Sequence, residues 1–176
     1  MPQVHDGRED GEVRRLLAGA EKVVSRVRYC WLVSEAETGG ANARPMGRVL
    51  PEAPENRWTM RFVTDGRSRK VSDIRRGGIV ELIFQHDAED AFVVMIGRAM
   101  VLEDASKIRQ LWKEAYERYF PSDADRANAT FVEVEVERME LWIRGVTPEP
   151  FGLRATVLER GAAGTWRLRS GERDAA

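Results

Sequence analysis

Cys30 is the only cysteine in the chain, so no disulfide can close within it. Histidine is nearly as scarce: only His5 and His86 are present, and without paired His/Cys spacing a zinc site has no donor set. No apolar run approaches the ~18 residues that a membrane-crossing helix needs. Net charge is missing too, with 28 Lys and Arg against 29 Asp and Glu. No global field therefore draws nucleic acid or an anionic membrane, and any anion site must be a local cluster. The first residues carry Asp6, Glu9, Asp10 and Glu12 instead of the basic-then-apolar pattern of a secretory signal. A cytoplasmic protein is the expectation. Neither Ser34 nor Ser68 lies in a nucleophile elbow, so an acyl-transfer triad has no support. Glu133, Glu135 and Glu137 alternate with valines and read as a solvated strand face, not an acid pair across a cleft. With no self-sufficient acid, base and nucleophile, any catalysis must draw on a cofactor.

What is present is a succession of short strands with a few helices. Val13, Leu16, Leu17, Ala20, Val23 and Val24 recur at helical spacing over 10–26. Strands are expected at 28–34, 43–50, 58–64, 79–85, 91–103 and 131–143, with a loop at 51–56. Thr38-Gly39-Gly40 marks a hairpin turn, and Gly97 a bulge or bend in its strand. A short helix should open at Val71 and stop at Gly77-Gly78, and another should run from an Asp104 N-cap through Tyr116. A hairpin closes the chain around Gly161–Gly164. Trp31, Trp58 and Trp112 fall in apolar stretches and are expected in the core, whereas Trp142 and Trp166 could face a groove or a partner chain. Hairpin-joined strands covered by helices point to one α+β, mainly β, domain over 9–170, a β-barrel with peripheral helices. Flexible tails are expected at 1–8 and 171–176.

The segment Thr64-Asp65-Gly66-Arg67-Ser68-Arg69-Lys70 follows a strand and enters a helix. A helix N-terminus offers unpaired N–H groups and partial positive charge, which suit a phosphate. Arg69 could hold phosphate oxygens bidentately while Lys70 adds a point charge. A turn with a serine cap and a solvated basic cluster would have the same composition. Ahead of it, Arg44-Pro45-Met46-Gly47 could line a flat aromatic ligand, or simply place Met46 in the core.

Several segments together resemble the pyridoxamine 5′-phosphate oxidase-like, FMN-binding split-barrel family, particularly its general stress protein branch. They are Ala43-Arg44-Pro45-Met46, Phe62-Val63-Thr64-Asp65 with Ser68-Arg69-Lys70-Val71, Val80–Phe84, Gly97-Arg98-Ala99 with Asp104, Leu111-Trp112, Phe120-Pro121 and Glu140-Leu141-Trp142. The resemblance implies a split barrel of antiparallel strands, and a homodimer with FMN between subunits. It implies that Arg44, Pro45 and Met46 border the flavin ring, and that Val63 and Thr64 contact the ring or ribityl chain. Ser68, Arg69 and Lys70 would hold the phosphate, and Trp142 would lie near the partner subunit's flavin. A deazaflavin coenzyme, or a non-catalytic stress protein binding flavin or haem, fits the same residues; NAD(P)H or a small molecule would be the reaction partner. Val49 stands where a pyridoxamine phosphate oxidase has lysine, and Phe92 where it has glutamine. Gly152-Leu153-Arg154-Ala155 replaces its Arg-Leu-His-Asp-Arg signature. These departures argue against vitamin B6 oxidation.

Overall fold

A computed structural model describes residues 7–49 and 57–169. The expected loop at 51–56, Leu50, the first six residues of the N-terminal tail and the tail at 171–176 lie outside them. Helix α1 (Gly7–Arg26) precedes strands β1 (Tyr29–Glu35), β2 (Ala41–Val49) and β3 (Thr59–Asp65). Helix α2 (Arg69–Gly77), strands β4 (Ile79–His86) and β5 (Ala91–Val101), and short helices α3 (Ala105–Leu111) and α4 (Asp123–Asn128) follow. Strands β6 (Ala129–Ile143), β7 (Thr156–Arg160) and β8 (Trp166–Leu168) come last among the described elements. The strands run in the order β3-β2-β1-β4-β5-β6-β7-β8, and β3 also pairs with β6. Strands β1 to β6 thereby close into the split barrel, which removes free sheet edges from that set.

Two compact units divide the chain. The first comprises 1–28, 83–95 and 137–176. Its α1 buries Val13, Leu16, Ala20, Val23 and Val24 of the expected helical stripe, while Leu17 at its margin is only half-buried. Phe84, Val93, Met95, Met139, Leu141 and Leu158 are also buried in this unit. The second comprises 29–82 and 96–136. There the period-2 alternation of β1 buries Cys30, Leu32 and Ser34, β3 buries Met60, Phe62 and Thr64, and β6 buries Val132, Val134 and Val136.

Several expectations change. Trp31 is not core but 49% exposed, because Cys30 and Leu32 on either side take the inward positions. Trp58 is buried as expected, while Trp112 is only half-buried. The helix from Asp104 stops at Leu111: Trp112 turns extended, and its ring meets Tyr116 and Phe120 edge-on, each at 5.7 Å. Helix α4 was not anticipated. Ser122 and Asp125 form a reciprocal capping box that starts it, a signal readable in Ser122-Asp123-Ala124-Asp125. Helix α1 begins at Gly7, two residues inside the expected tail. Glu133 is not simply solvated: Arg61, its cross-strand neighbour, donates to it from Nη2 at 2.6 Å.

Candidate functional site

The turn between β3 and α2 is built around Asp65. Its carboxylate accepts from the Arg67 backbone N–H at 2.7 Å and from the Arg67 guanidinium at 3.0 and 2.6 Å. These bonds hold the Asp65 carboxyl down to about 2. Gly66 lies flat against the start of β6, donating to the Asn128 carbonyl at 2.7 Å; a Cβ there would sit 3.1 Å from that oxygen.

Beyond the turn, Ser68 occupies the N-cap of α2, but its hydroxyl does not cap the helix. No acid lies in the first turn, which holds Arg69 and Lys70 instead. Cations at a helix N-terminus oppose the macrodipole, so this arrangement favours an anion. Lys70 folds back and donates to the buried Thr64 hydroxyl at 2.8 Å and to Ser68 Oγ at 3.4 Å. Burial, and then repulsion from Arg44, lower its pKa. Arg69 is exposed and makes no hydrogen bond or ion pair among the described residues.

Arg44 reaches this cluster from the inward face of β2, opposite Leu32 of β1. Its Nη2 donates to Ser34 Oγ at 3.0 Å and the Asn42 carbonyl at 3.1 Å, and lies 3.5 Å from Asp73 Oδ2. Asp73, on α2, is buried; it also accepts from Asn42 at 3.0 Å, Arg76 at 3.0 Å and Ser34 at 3.3 Å. Burial pushes its pKa up, but those donors outweigh burial and leave it lowered. The terminal nitrogen Nη1 of Arg44 is buried with no hydrogen-bond partner among the described residues. An unmet buried donor costs about 1–3 kcal/mol, and more when charged. Its chemistry calls for an acceptor oxygen.

The structure thus brings Arg44, Thr64, Ser68 and Lys70 together, with Arg69 at the helix entrance. Pro45 and Val63 take the opposite faces of their strands from Arg44 and Thr64. Pro45 pairs with Trp31 and is exposed, while Met46, facing inward, is buried opposite Cys30. Burial drives the Cys30 thiol up to about 12, which fits the expectation of an inert sulfur. Trp142 is half-buried on β6 in the other compact unit.

A family model described as "Pyridoxamine 5′-phosphate oxidase like" matches residues 18–149. The chain belongs to that family. A solved relative of general stress protein 26 from Clostridium acetobutylicum is similar over 82% of this chain and 94% of its own, with 19% identity and a TM-score of 0.67. A pyridoxamine 5′-phosphate oxidase-related, FMN-binding protein from Nostoc punctiforme is similar over 97% and 98%, at 15% identity and a TM-score of 0.63. PhzG from Burkholderia lata, solved with tetrahydrophenazine-1-carboxylic acid, matches over 91% and 90% at 16% identity and a TM-score of 0.60. No curated protein matches the sequence.

Within this family member, the sequence reading missed Ser34, Asn42 and Asp73. Each is an unremarkable polar residue locally, and they converge only when β1, β2 and α2 pack. The only advance signal was an acid, Asp73, in a segment otherwise rich in Arg and Lys. The Asp65 turn has a pH signature. The unfolded carboxyl titrates near ~4, so its depressed folded value stabilises the turn above that pH and is lost as pH falls toward about 2. The stability gap between wild type and Asp65→Asn, measured by denaturant unfolding, is expected to be constant above pH 5 and to close on acidification. A pH-independent gap would remove the ion-pair explanation.

Proposed function

We propose that this protein binds FMN through its phosphate at the start of α2 and works as a flavin-dependent oxidoreductase on a small molecule. The observation that carries the reading is the acid-free first turn of α2, without a side-chain cap, beside a buried Arg44 Nη1 that has no acceptor among the described residues. Near it stand Arg44, Arg67, Arg69 and Lys70, against the carboxylates of Asp65, Asp73 and Asp125, with Arg76 reaching Asp73 from the last turn of the helix. A phosphate would supply the missing negative charge and acceptor oxygens, with Ser68 and Thr64 as hydroxyl partners. Arg44 and Lys70 repel one another, and an anion between them would relieve that repulsion, so in this reading Arg44 serves the phosphate end instead of the ring. Met46, Val63 and Pro45 remain ring-side candidates. When bound, the flavin would supply hydride acceptance and donation; the chain's own residues bind, orient and neutralise it.

A homodimer is part of the same reading. In the second unit the outward faces of β1, β4 and β5 expose Tyr29 and Trp31 at 49% each, Ile79 at 46% and Met100 at 57%. Pro45 and Gly47 lie opposite Trp31 and Tyr29. Large side chains exposed together on a sheet face are what a second copy would bury. In that dimer Trp142 would stand near the partner subunit's flavin.

Titration of purified protein with FMN and with riboflavin tests the proposal. FMN should bind at least tenfold more tightly, because only it carries the phosphate. Equal affinities, or no binding of either, would reject it. Trp31→Asp should convert the dimer to monomer in sedimentation; an unchanged mass would remove β1 from the interface.

A further inference from the structure

A separate groove of about 570 Å³ lies in the first compact unit. Its walls include Glu12 of α1, Arg138 of β6, Leu153 and Arg154 of the preceding loop, Val157 of β7, and Arg169. We propose that this groove binds a monoanionic carboxylate carrying an apolar body. The assignment does not rest on flavin binding, and none of these residues belongs to the phosphate cluster.

Three guanidinium groups from three parts of the chain converge on one hollow of ligand size. Two are partly committed. Arg138 Nη2 donates to Glu140 at 2.6 Å, and Arg169 Nη1 lies 3.5 Å from Glu159. Arg154 has no hydrogen bond or ion pair among the described residues. Arg138 Nε is buried and likewise has no hydrogen-bond partner among the described residues. The groove therefore holds more donors than acceptors, and a carboxylate supplies two acceptor oxygens in the planar geometry that guanidinium prefers.

The remaining walls set the rest of the ligand. Leu153 is 68% exposed beside the groove, and Val157 adds apolar surface on the strand. An apolar body would cover Leu153 and gain the transfer free energy of both partners. Glu12 has no ion-pair partner among the described residues, and it opposes a second negative charge. The preference should thus run to a carboxylate over a phosphate dianion of the same shape.

The probe is 2-naphthoate, added to the purified full chain and followed by calorimetry, with 2-naphthamide and 2-naphthyl phosphate as comparisons. Wild type should bind 2-naphthoate saturably and at least tenfold more tightly than either comparison. Arg154→Ala, an exposed position whose loss should not disturb folding, should weaken 2-naphthoate at least tenfold, and Leu153→Ala by about threefold. Lys70→Gln should leave it unchanged. No saturable binding at millimolar probe, equal affinity in Arg154→Ala, or loss of binding in Lys70→Gln would each overturn the proposal. A preference for the phosphate ester would overturn the charge selectivity.

Discussion

Replacing Gly97 with alanine is expected to lower the unfolding free energy by about 3 kcal/mol, the upper end of overpacking penalties. Gly97 lies on β5, where that strand presses onto β6. An alanine Cβ would stand 2.2 Å from the Glu135 carbonyl oxygen and 2.8 Å from its carbon. Neither atom belongs to a flexible side chain that can swing aside. One strand must move, and with it the ladder that closes the barrel. Gly11 provides the opposite case within the same chain: it lies in α1, and a Cβ there meets nothing within 4 Å. Gly11→Ala should therefore stabilise, by about 0.5–1 kcal/mol, because alanine has less backbone entropy to lose in a helix. Urea unfolding of both variants checks the pair. A Gly97→Ala protein as stable as wild type would mean that β5 and β6 do not approach as closely as described.

The second large effect concerns Lys70. Lys70→Gln keeps a donor for Thr64 but removes a half-buried charge beside Arg44. FMN affinity should fall about 10- to 100-fold, as expected for a lost charge-assisted bond worth about 1.5–3 kcal/mol. Riboflavin affinity should hardly change. The ligand-free protein, by contrast, should become more stable, because the lysine's charge is unfavourable in the fold. The sign follows from its lowered pKa. Below that folded value the lysine is charged in both states, and the penalty is fully present. As pH rises from the folded pKa toward the unfolded value near ~10.4, the folded state sheds its proton first and wild type gains stability. The advantage of Lys70→Gln should accordingly shrink in alkaline buffer. A variant that loses FMN and riboflavin equally would show that Lys70 supports the fold of the site, not the phosphate.

The sequence carried the fold well where core and solvent impose opposite demands on alternate residues. Val132, Val134 and Val136 against Glu133, Glu135 and Glu137 announced β6 in this way, and Val13 to Val24 announced α1. It failed where a few residues decide a local turn. Helix α4 has six residues, too few for a periodic pattern, and only its capping box marks it. The break after Leu111 comes from aromatic rings meeting across a turn, which no period encodes. In the site, the Thr64–Lys70 segment was readable because strand end, glycine and helix start are contiguous. The bonds that fix Arg44 were not, since Ser34, Asn42 and Asp73 meet only through packing. Arg44, Pro45 and Met46 do not share one face of β2, because strand neighbours point opposite ways, a separation that alternation alone encodes.

That separation has a further consequence. Strand β2 turns Arg44 and Met46 inward and Pro45 outward, over a register fixed by β1. If the inward residues hold the cofactor and the outward ones meet a second copy, a single ribbon of backbone serves both. Loading the cofactor then stiffens the surface on which assembly occurs, and assembly stiffens the cradle. Thermodynamic reciprocity requires each to strengthen the other by the same factor. Cofactor supply would set how much of the protein is paired, and dilution would release flavin.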